Sequence, residues 1–366
     1  MKKKILVVGQ TPPPYGGQAM MIDYLVHGDF KHIEIYHVRM CFSREFNDRG
    51  RFSWYKIGHT FKVITEIWRL RYRNHIHALY YPLSSAPKVA LLRDVVILGC
   101  TRFLFKDVIF HFHAAGVSEE LPRYPFGLRQ LCYLVLRKPA IGITSSVYNP
   151  DDAGYLKCRV KEVVPLGIPD MNRSRSRNYN MSKPGLTVMF MGLLNSTKGE
   201  GYVLDAVSLL NKTGRDVRFL IAGKFETEDY RESFWKRVRA YGLEEKVEYR
   251  GVVTGHDKKQ MFLEADVFCF PSFFSSESFG IVLLEAMMYQ MPVVASKWRG
   301  IQSIVDNGNG FLVDIKDAGQ IANCLTTLCD DRALLKRMGE RSRTLFEDKY
   351  ELSRYLEELE RVMKSN

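Results

Sequence analysis

Short apolar runs rich in Ile and Val alternate with longer stretches of helical periodicity from one end of the chain to the other, as expected of parallel strands joined by crossover helices. In the first half the runs predict strands at Ile5–Val8, Ile33–Val38, Ala78–Tyr81, Val108–Phe112, Ile141–Thr144 and Glu162–Val164. Helices are predicted near Ala19–Val26, Phe61–Tyr72, Lys88–Phe105 and Gly127–Leu136. The pattern lapses between Asn172 and Gly185, a polar, basic stretch ending in a Pro-Gly turn signal, which reads as an interdomain linker. It restarts with strands at Thr187–Met191, Arg218–Ala222, Val247–Arg250, Val267–Phe270 and Val293–Ala295. Helices are expected near Tyr202–Leu210, Glu232–Tyr241, Lys258–Glu264 and Gly280–Tyr289, and amphipathic closing helices at Asp317–Cys329 and Tyr350–Met363. The class is α/β. Two Rossmann-like, doubly wound domains are predicted, 1–172 and 186–347, with a cleft between them and ligands beyond the carboxyl ends of the strands.

Composition agrees with two globular cores: 366 residues, 46% hydrophobic and 26% charged. The opening Met-Lys-Lys-Lys leads into Ile5–Val8, but Gly9 and the prolines 12–14 cut that run far too short for a signal sequence. The stretch Val95–Thr101 also falls well below the roughly 20 residues a membrane span needs. Seven cysteines, an odd number without Cys-x-x-Cys spacing, read as reduced and mostly buried thiols, hence a cytoplasmic protein.

Charge is uneven. Residues 1–172 carry 24 Lys and Arg against 14 Asp and Glu, a net of +10 out of +12 for the whole chain. Between Arg39 and Arg73, the basic residues Arg44, Arg49, Arg51, Lys56, Lys62, Arg69 and Arg71 interleave with Phe52, Trp54, Tyr55, Phe61, Trp68 and Tyr72. The mixture suits an anionic membrane surface or an anionic acceptor; the alternative is a solvated helix whose aromatics pack inward. No recognition module accompanies the charge, so nucleic acid is not expected as a partner.

The most informative chemistry lies in Ser275–Ser296, directly after the strand Val267–Phe270 and Pro271. A loop there runs into a helix starting near Phe279-Gly280, whose unpaired N–H groups make an anion site that Gly280 lets a phosphate approach. Glu277 precedes this helix and Glu285 lies on its second turn, eight residues on. A carboxylate accepts two hydroxyl hydrogen bonds, which suits Glu277 to vicinal sugar hydroxyls and Glu285 to a ribose. The bland alternative leaves Glu277 complementing the helix dipole and Glu285 in solvent.

With its following Met-Pro-Val-Val-Ala-Ser, this segment resembles the Glu-x7-Glu signature of the retaining glycosyltransferase family 4, of GT-B fold. The resemblance extends from Gly16-Gly17 through Pro165–Pro169 to the closing helices, and implies that the last helix, within 348–366, packs back on the first domain. It further implies that Glu277 contacts the donor sugar and Glu285 the ribose, with loop and backbone contacts from Ser278, Phe279, Gly280 and Ile281.

In Gly192-Leu-Leu-Asn-Ser-Thr-Lys-Gly199, between a strand and a helix, Lys198 stands where its ammonium can face a diphosphate as a point charge. The family pattern has arginine where this chain has Leu193, so one phosphate cation is missing, and Arg299 is a candidate substitute by position. Gly16 and Gly17 follow the first strand without Gly-x-Gly-x-x-Gly spacing, either as a simple turn or as backbone approaching the donor or acceptor. His111 and His113 share a face of their strand by alternation, and the resemblance favours His113 as a contact to the transferred sugar.

No metal-binding or nucleophile-elbow motif appears. The resemblance implies a retaining hexosyltransferase, and with Lys198 and the helix start to hold the diphosphate it is expected to need neither metal nor cofactor. It would move sugar from a nucleotide diphosphate donor, UDP favoured over GDP, to a glycan or lipid-linked acceptor of cell-surface polysaccharide, at the inner face of the cytoplasmic membrane. Lys198, Glu277 and His113 are its candidate catalytic residues. Rival readings are a non-catalytic nucleotide-sugar binder, motivated by Leu193, a GT-B sugar-nucleotide epimerase, and a plain membrane adaptor.

Overall fold

The computed structural model describes residues 2–13, 15–42, 54–85, 88–174, 177–182 and 184–365. Arg44, Arg49, Arg51 and Phe52, and the side chains of Trp54 and Lys56, lie outside the described residues. The chain divides into two compact units, Met1–Gly167 with Leu352–Asn366, and Ile168–Glu351.

The first unit runs β1 (Lys3–Gly9), α1 (Gly17–Val26), β2 (Ile33–Arg39), α2 (Trp54–Arg73), β3 (Ala78–Tyr81) and α3 (Lys88–Thr101). It continues with β4 (Asp107–Phe112), α4 (Val117–Glu120), α5 (Phe126–Leu136), β5 (Ile141–Thr144), α6 (Asp152–Tyr155) and β6 (Val160–Val163). The six strands are parallel in the order β2-β1-β3-β4-β5-β6. Covered on both faces, the central strands must be apolar throughout, and all six residues of β4 are buried. Strand order reverses between β1 and β3, which marks the end of the sheet where Gly16-Gly17 begins α1.

Helix α2 begins seven residues before its predicted start, because tertiary contacts hold a first turn that lacks apolar periodicity. His59 accepts the Cys41 N–H at 2.8 Å, and its ring packs edge-on to Phe42 and stacks with Tyr55. The predicted helix to Phe105 ends instead at Thr101 and tightens into a 3-10 turn over Arg102–Leu104.

The second unit comprises β7 (Leu186–Met191), α7 (Glu200–Lys212), β8 (Val217–Ala222), α8 (Glu228–Ala240), β9 (Val247–Tyr249) and α9 (Gly255–Glu264). Then come β10 (Val267–Phe270), α10 (Ile281–Met288), β11 (Val293–Ser296), β12 (Gly310–Val313), α11 (Ala318–Asp330) and α12 (Arg332–Leu345). Its parallel sheet has the order β12-β11-β10-β7-β8-β9, so the reversal falls between β7 and β10. Residues of the stretch read as a linker cluster with this unit: Arg177 donates to the Phe262 carbonyl at 3.0 Å and Tyr179 to the Gln290 carbonyl at 2.6 Å.

Strand β12 and helix α12 escaped the sequence reading. Helix α12 is rich in Arg and Lys, and it buries Gly339 and Ser342 beside Leu335 and Met338, so its apolar stripe is broken. The glycine is required: a Cβ at Gly339 would lie 2.0 Å from the Tyr179 hydroxyl. The final helix, α13 (Leu352–Lys364), belongs to the first unit, where the Glu360 carboxylate accepts the His32 N–H and Arg361 pairs with Glu162 at 3.0 Å. All seven cysteines are free thiols, three of them buried. Among the described residues, no helix is long and apolar enough to cross a membrane.

Candidate functional site

In the second unit the chain leaves β7 and β10 at the point where strand order reverses, and the two loops meet there. The first holds its shape through Asn195, whose side-chain oxygen accepts the Thr197 N–H, the Thr197 hydroxyl and the Lys198 N–H, each at 3.0 Å. Gly199 then turns into α7 at φ +95°, and a Cβ there would sit 2.5 Å from the Pro271 carbonyl oxygen. Only glycine permits both the left-handed backbone and this approach of loop to loop.

That approach aims Lys198 at the second loop. Its Nζ lies 2.6 Å from Glu277 Oε2, 4.5 Å from the centre of the Phe274 ring and 5.8 Å from that of Phe270. Both members of the ion pair are largely shielded, with side chains 14% and 13% exposed. Ser272 donates to the same Glu277 oxygen at 3.3 Å, and the Trp298 indole donates to the Phe274 carbonyl at 2.9 Å. An ammonium over an aromatic face and against a carboxylate is held in place, yet stays at a rim where a second anion can reach it.

Gly280 caps α10 at φ +89° with no side-chain cap; the Leu283 N–H donates back to the Gly280 carbonyl at 2.9 Å, which leaves the N–H groups of Ile281 and Val282 to meet an anion. Ser278 and Phe279 are buried, and the Phe279 ring packs edge-on to Tyr350 at 6.0 Å. Glu285 lies on α10 and pairs with Lys258 of α9 at 2.5 Å. The sequence reading passed over Lys258, because a single lysine on a helix is by default a solvated one. Arg299 opens a 3-10 turn, Arg299–Ser303, at φ +42°; it is buried, with its guanidinium 5.3 Å from the Trp298 ring centre.

Glu200, the first residue of α7 and two beyond Lys198, is a second omission. It is fully buried, and burial pushes its carboxyl up to about 7 against the opposing influence of Tyr230 and Lys198. Nothing in the sequence separated it from an ordinary helix-first-turn glutamate.

In the first unit, His111 and His113 share a face as alternation requires, with rings stacked at 3.8 Å between centroids. The Tyr80 hydroxyl of β3 lies 2.6 Å from His111 Nδ1 and 3.2 Å from His113 Nε2. His111 Nε2 is buried with no hydrogen-bond partner among the described residues. The Tyr80 hydroxyl donates to one of His111 Nδ1 and His113 Nε2 and accepts from the other, so the three groups form one hydrogen-bonded chain. Burial lowers both imidazoles, His113 to about 3, so this pair is neutral near pH 7. Gly16 and Gly17 open α1 with Gly16 extended at φ −176°, a conformation any residue could adopt.

The second unit is thus a doubly wound domain whose switch point gathers Lys198, Glu277 and the start of α10. Residues 173–345 match the family model described as glycosyl transferases group 1. Among relatives by sequence is the phosphatidyl-myo-inositol mannosyltransferase of Mycobacterium leprae, 35% identical over 177 residues, 48% of this chain and 46% of that protein. The chain spans about half the length of the curated relatives it matches. Among solved structures, Anabaena HepE in complex with UDP and glucose superposes with a TM-score of 0.70 at 17% identity, over 100% of both chains. A glycosyltransferase from Rickettsia africae gives 0.70 at 16%, over 100% of this chain and 99% of that one. At such identities the likeness is one of fold, and the fold is GT-B.

Proposed function

We propose that this protein is a retaining, metal-independent glycosyltransferase of the family 4 type, using a nucleotide diphosphate sugar, with UDP favoured over GDP as the carrier. The observation that carries the reading is the meeting of Lys198 and Glu277 at 2.6 Å beside the uncapped start of α10, at the switch point of a doubly wound sheet. In this reading Lys198 and the backbone N–H groups near Gly280 and Ile281 take the diphosphate. Glu277 exchanges its lysine partner for sugar hydroxyls, Glu285 takes the ribose hydroxyls, and Arg299 is the candidate for the cation missing at Leu193. The first unit is proposed to contribute the backbone of Gly16 and Gly17 and the His113 imidazole.

The bond between the anomeric carbon and the phosphate oxygen breaks with its electron pair going to the departing diphosphate, whose charge Lys198 stabilises. The acceptor oxygen forms the new bond on the same face, and its proton passes to the leaving phosphate oxygen. The acceptor proposed is a glycan or lipid-linked glycan of cell-surface polysaccharide, met at the cytoplasmic membrane face.

The test is release of nucleoside diphosphate from a panel of UDP- and GDP-sugars with lipid-linked acceptors, with the anomeric configuration of the product read by NMR. Retained configuration and indifference to chelator are expected. Inverted product or abolition by chelator would overturn the corresponding part, and Arg299→Ala with undiminished turnover would remove that residue. Leu193 also favours one second reading, a nucleotide-sugar binder without turnover, which donor binding with no release under any acceptor would establish.

A further inference from the structure

Helices α2, α3 and α5 form one layer over the first sheet, and their outward faces are unusually apolar. Exposed large side chains follow helical spacing on each: Phe61, Trp68 and Tyr72 on α2, Val89 and Val96 on α3 with Phe103 just beyond it, and Phe126, Leu131 and Leu134 on α5. They are continuous where described contacts exist: Trp68 packs edge-on to Phe103 at 5.7 Å, and Phe103 and Leu134 line one depression of about 400 Å³.

The floor and wall of that depression are cationic. Arg102, Lys106, Arg137, Lys138 and Arg159 line it. Arg102 is fixed by donating to the Val135 and Arg137 carbonyls, so its guanidinium is built into the site. The neighbouring acid, Asp107, is already answered by Lys3 at 3.5 Å and Arg159 at 3.7 Å. Across α2, α3 and α5 there are eight lysines and arginines and two acids. Of the acids, Glu66 is bonded to Arg69, and Asp94 is buried against Arg93, Tyr81 and the Ser84 N–H. Among the described residues of these three helices, no further acid answers the remaining positive charge.

The depression sits where β4, β5 and β6 begin, at the opposite end of the strands from Gly16, Gly17 and His113. It is therefore separate from the proposed catalytic machinery. We infer that this face is a docking surface for an anionic lipid bilayer, with the phosphate of a lipid headgroup seated in the depression and the aromatic and leucine side chains among the acyl chains. A soluble polyanion would use the charges and leave the apolar stripes without a role, whereas a bilayer interface uses both. The stripes run from the starts of the helices to their ends, so the layer can lie flat on a membrane.

The experiment is flotation of the full chain with vesicles of phosphatidylcholine alone or with 30% (mol, ~) phosphatidylglycerol, at low and high salt. Two variant pairs are compared, Phe103→Ser with Leu134→Ser, and Lys106→Gln with Lys138→Asn; asparagine tolerates the left-handed backbone of Lys138 (φ +55°). Expected are salt-sensitive binding to phosphatidylglycerol vesicles only and a loss of about 30-fold in the charge pair. The apolar pair should lose binding by at least about tenfold, with far-UV circular dichroism and turnover of water-soluble substrates unchanged in both. A charge pair that floats like the parent, equal binding to neutral vesicles, or RNA or heparin binding that survives the apolar changes would overturn it. Inorganic phosphate at millimolar concentration should compete only weakly; full displacement by phosphate alone would make the depression a free-phosphate site instead. Flotation and donor turnover are read separately, so a protein that floats but turns over no nucleotide sugar keeps this inference and loses the proposed function.

Discussion

The two units present opposite electrostatics at comparable places in similar sheets. Beyond β7 and β10, the second unit gathers ion pairs, Lys198 with Glu277 and, on neighbouring helices, Lys258 with Glu285, shielded but not sealed. At the ends of β3 and β4, the first unit places neutral, buried groups, Tyr80, His111 and His113. A site that keeps both signs of charge at its rim can exchange its internal partners for a charged ligand. A neutral hydrogen-bonding chain, by contrast, offers fixed direction to uncharged hydroxyls. In the proposed reaction the diphosphate belongs to the first kind of site, and the sugar is proposed to meet Glu277 there and His113 at the second.

The contrast breaks most severely at Lys198. Lys198→Ala should lower donor turnover about 10²–10³-fold, measured by nucleoside diphosphate release, since it removes a preorganised cation from the developing charge. A loss below tenfold would place the diphosphate elsewhere. Next is the loop that aims that lysine. Gly199→Ala must adopt φ +95° and bring a Cβ within 2.5 Å of the Pro271 carbonyl oxygen, so urea denaturation should show a loss of about 3 kcal/mol, together with reduced turnover.

Glu200 sharpens the comparison through pH. Its folded carboxyl titrates near 7, above the ordinary carboxylate range, so between about pH 4.5 and 7 the native state binds more protons than the unfolded chain. Its contribution is present at low pH and is lost as pH rises through that window, then stays level. Glu200→Gln should be more stable than the parent at pH 8, by up to about 3 kcal/mol, with the advantage gone by pH 4.5. An equal difference at both pH values would show that the folded carboxyl titrates as it does in the unfolded chain.

The histidines have the opposite sign, being held below their ordinary range, so they cost stability as pH falls from about 6.5 towards 3. Tyr80→Phe leaves both without their shared partner, at a cost of about 1–3 kcal/mol. It should also move the ¹⁵N imidazole shifts of both histidines; unchanged shifts would contradict the shared hydrogen-bonded chain.

Much of the fold was legible because its strands are buried on both faces and therefore read as unbroken apolar runs, as in Ile5–Val8 and Val267–Phe270. Elements whose sequence is set by a neighbour were not. Gly310 opens β12 because a Cβ would meet the Val293 carbonyl at 2.0 Å, and Gly339 interrupts α12 to admit Tyr179. The site divided in the same way. Lys198, Glu277, Gly280 and Glu285 stand in local patterns tied to strand ends, and the structure brings the first two together. Lys258 and Glu200 gain their importance only from what packs against them, which a sequence does not print. The basic stretch of the first domain was read as a surface, but part of it is internal bracing. Arg39 donates to the carbonyls of Thr11, Pro12 and Pro13, and Arg71 to that of Leu104.

Calorimetric titration of UDP into the parent protein and into Lys198→Ala tests the central claim most directly. The account predicts saturable one-to-one binding by the parent and a weakening of at least about tenfold in the variant, from loss of a charge-assisted phosphate contact. Equal affinity in the two proteins, or no binding of UDP or GDP by the parent, would contradict it.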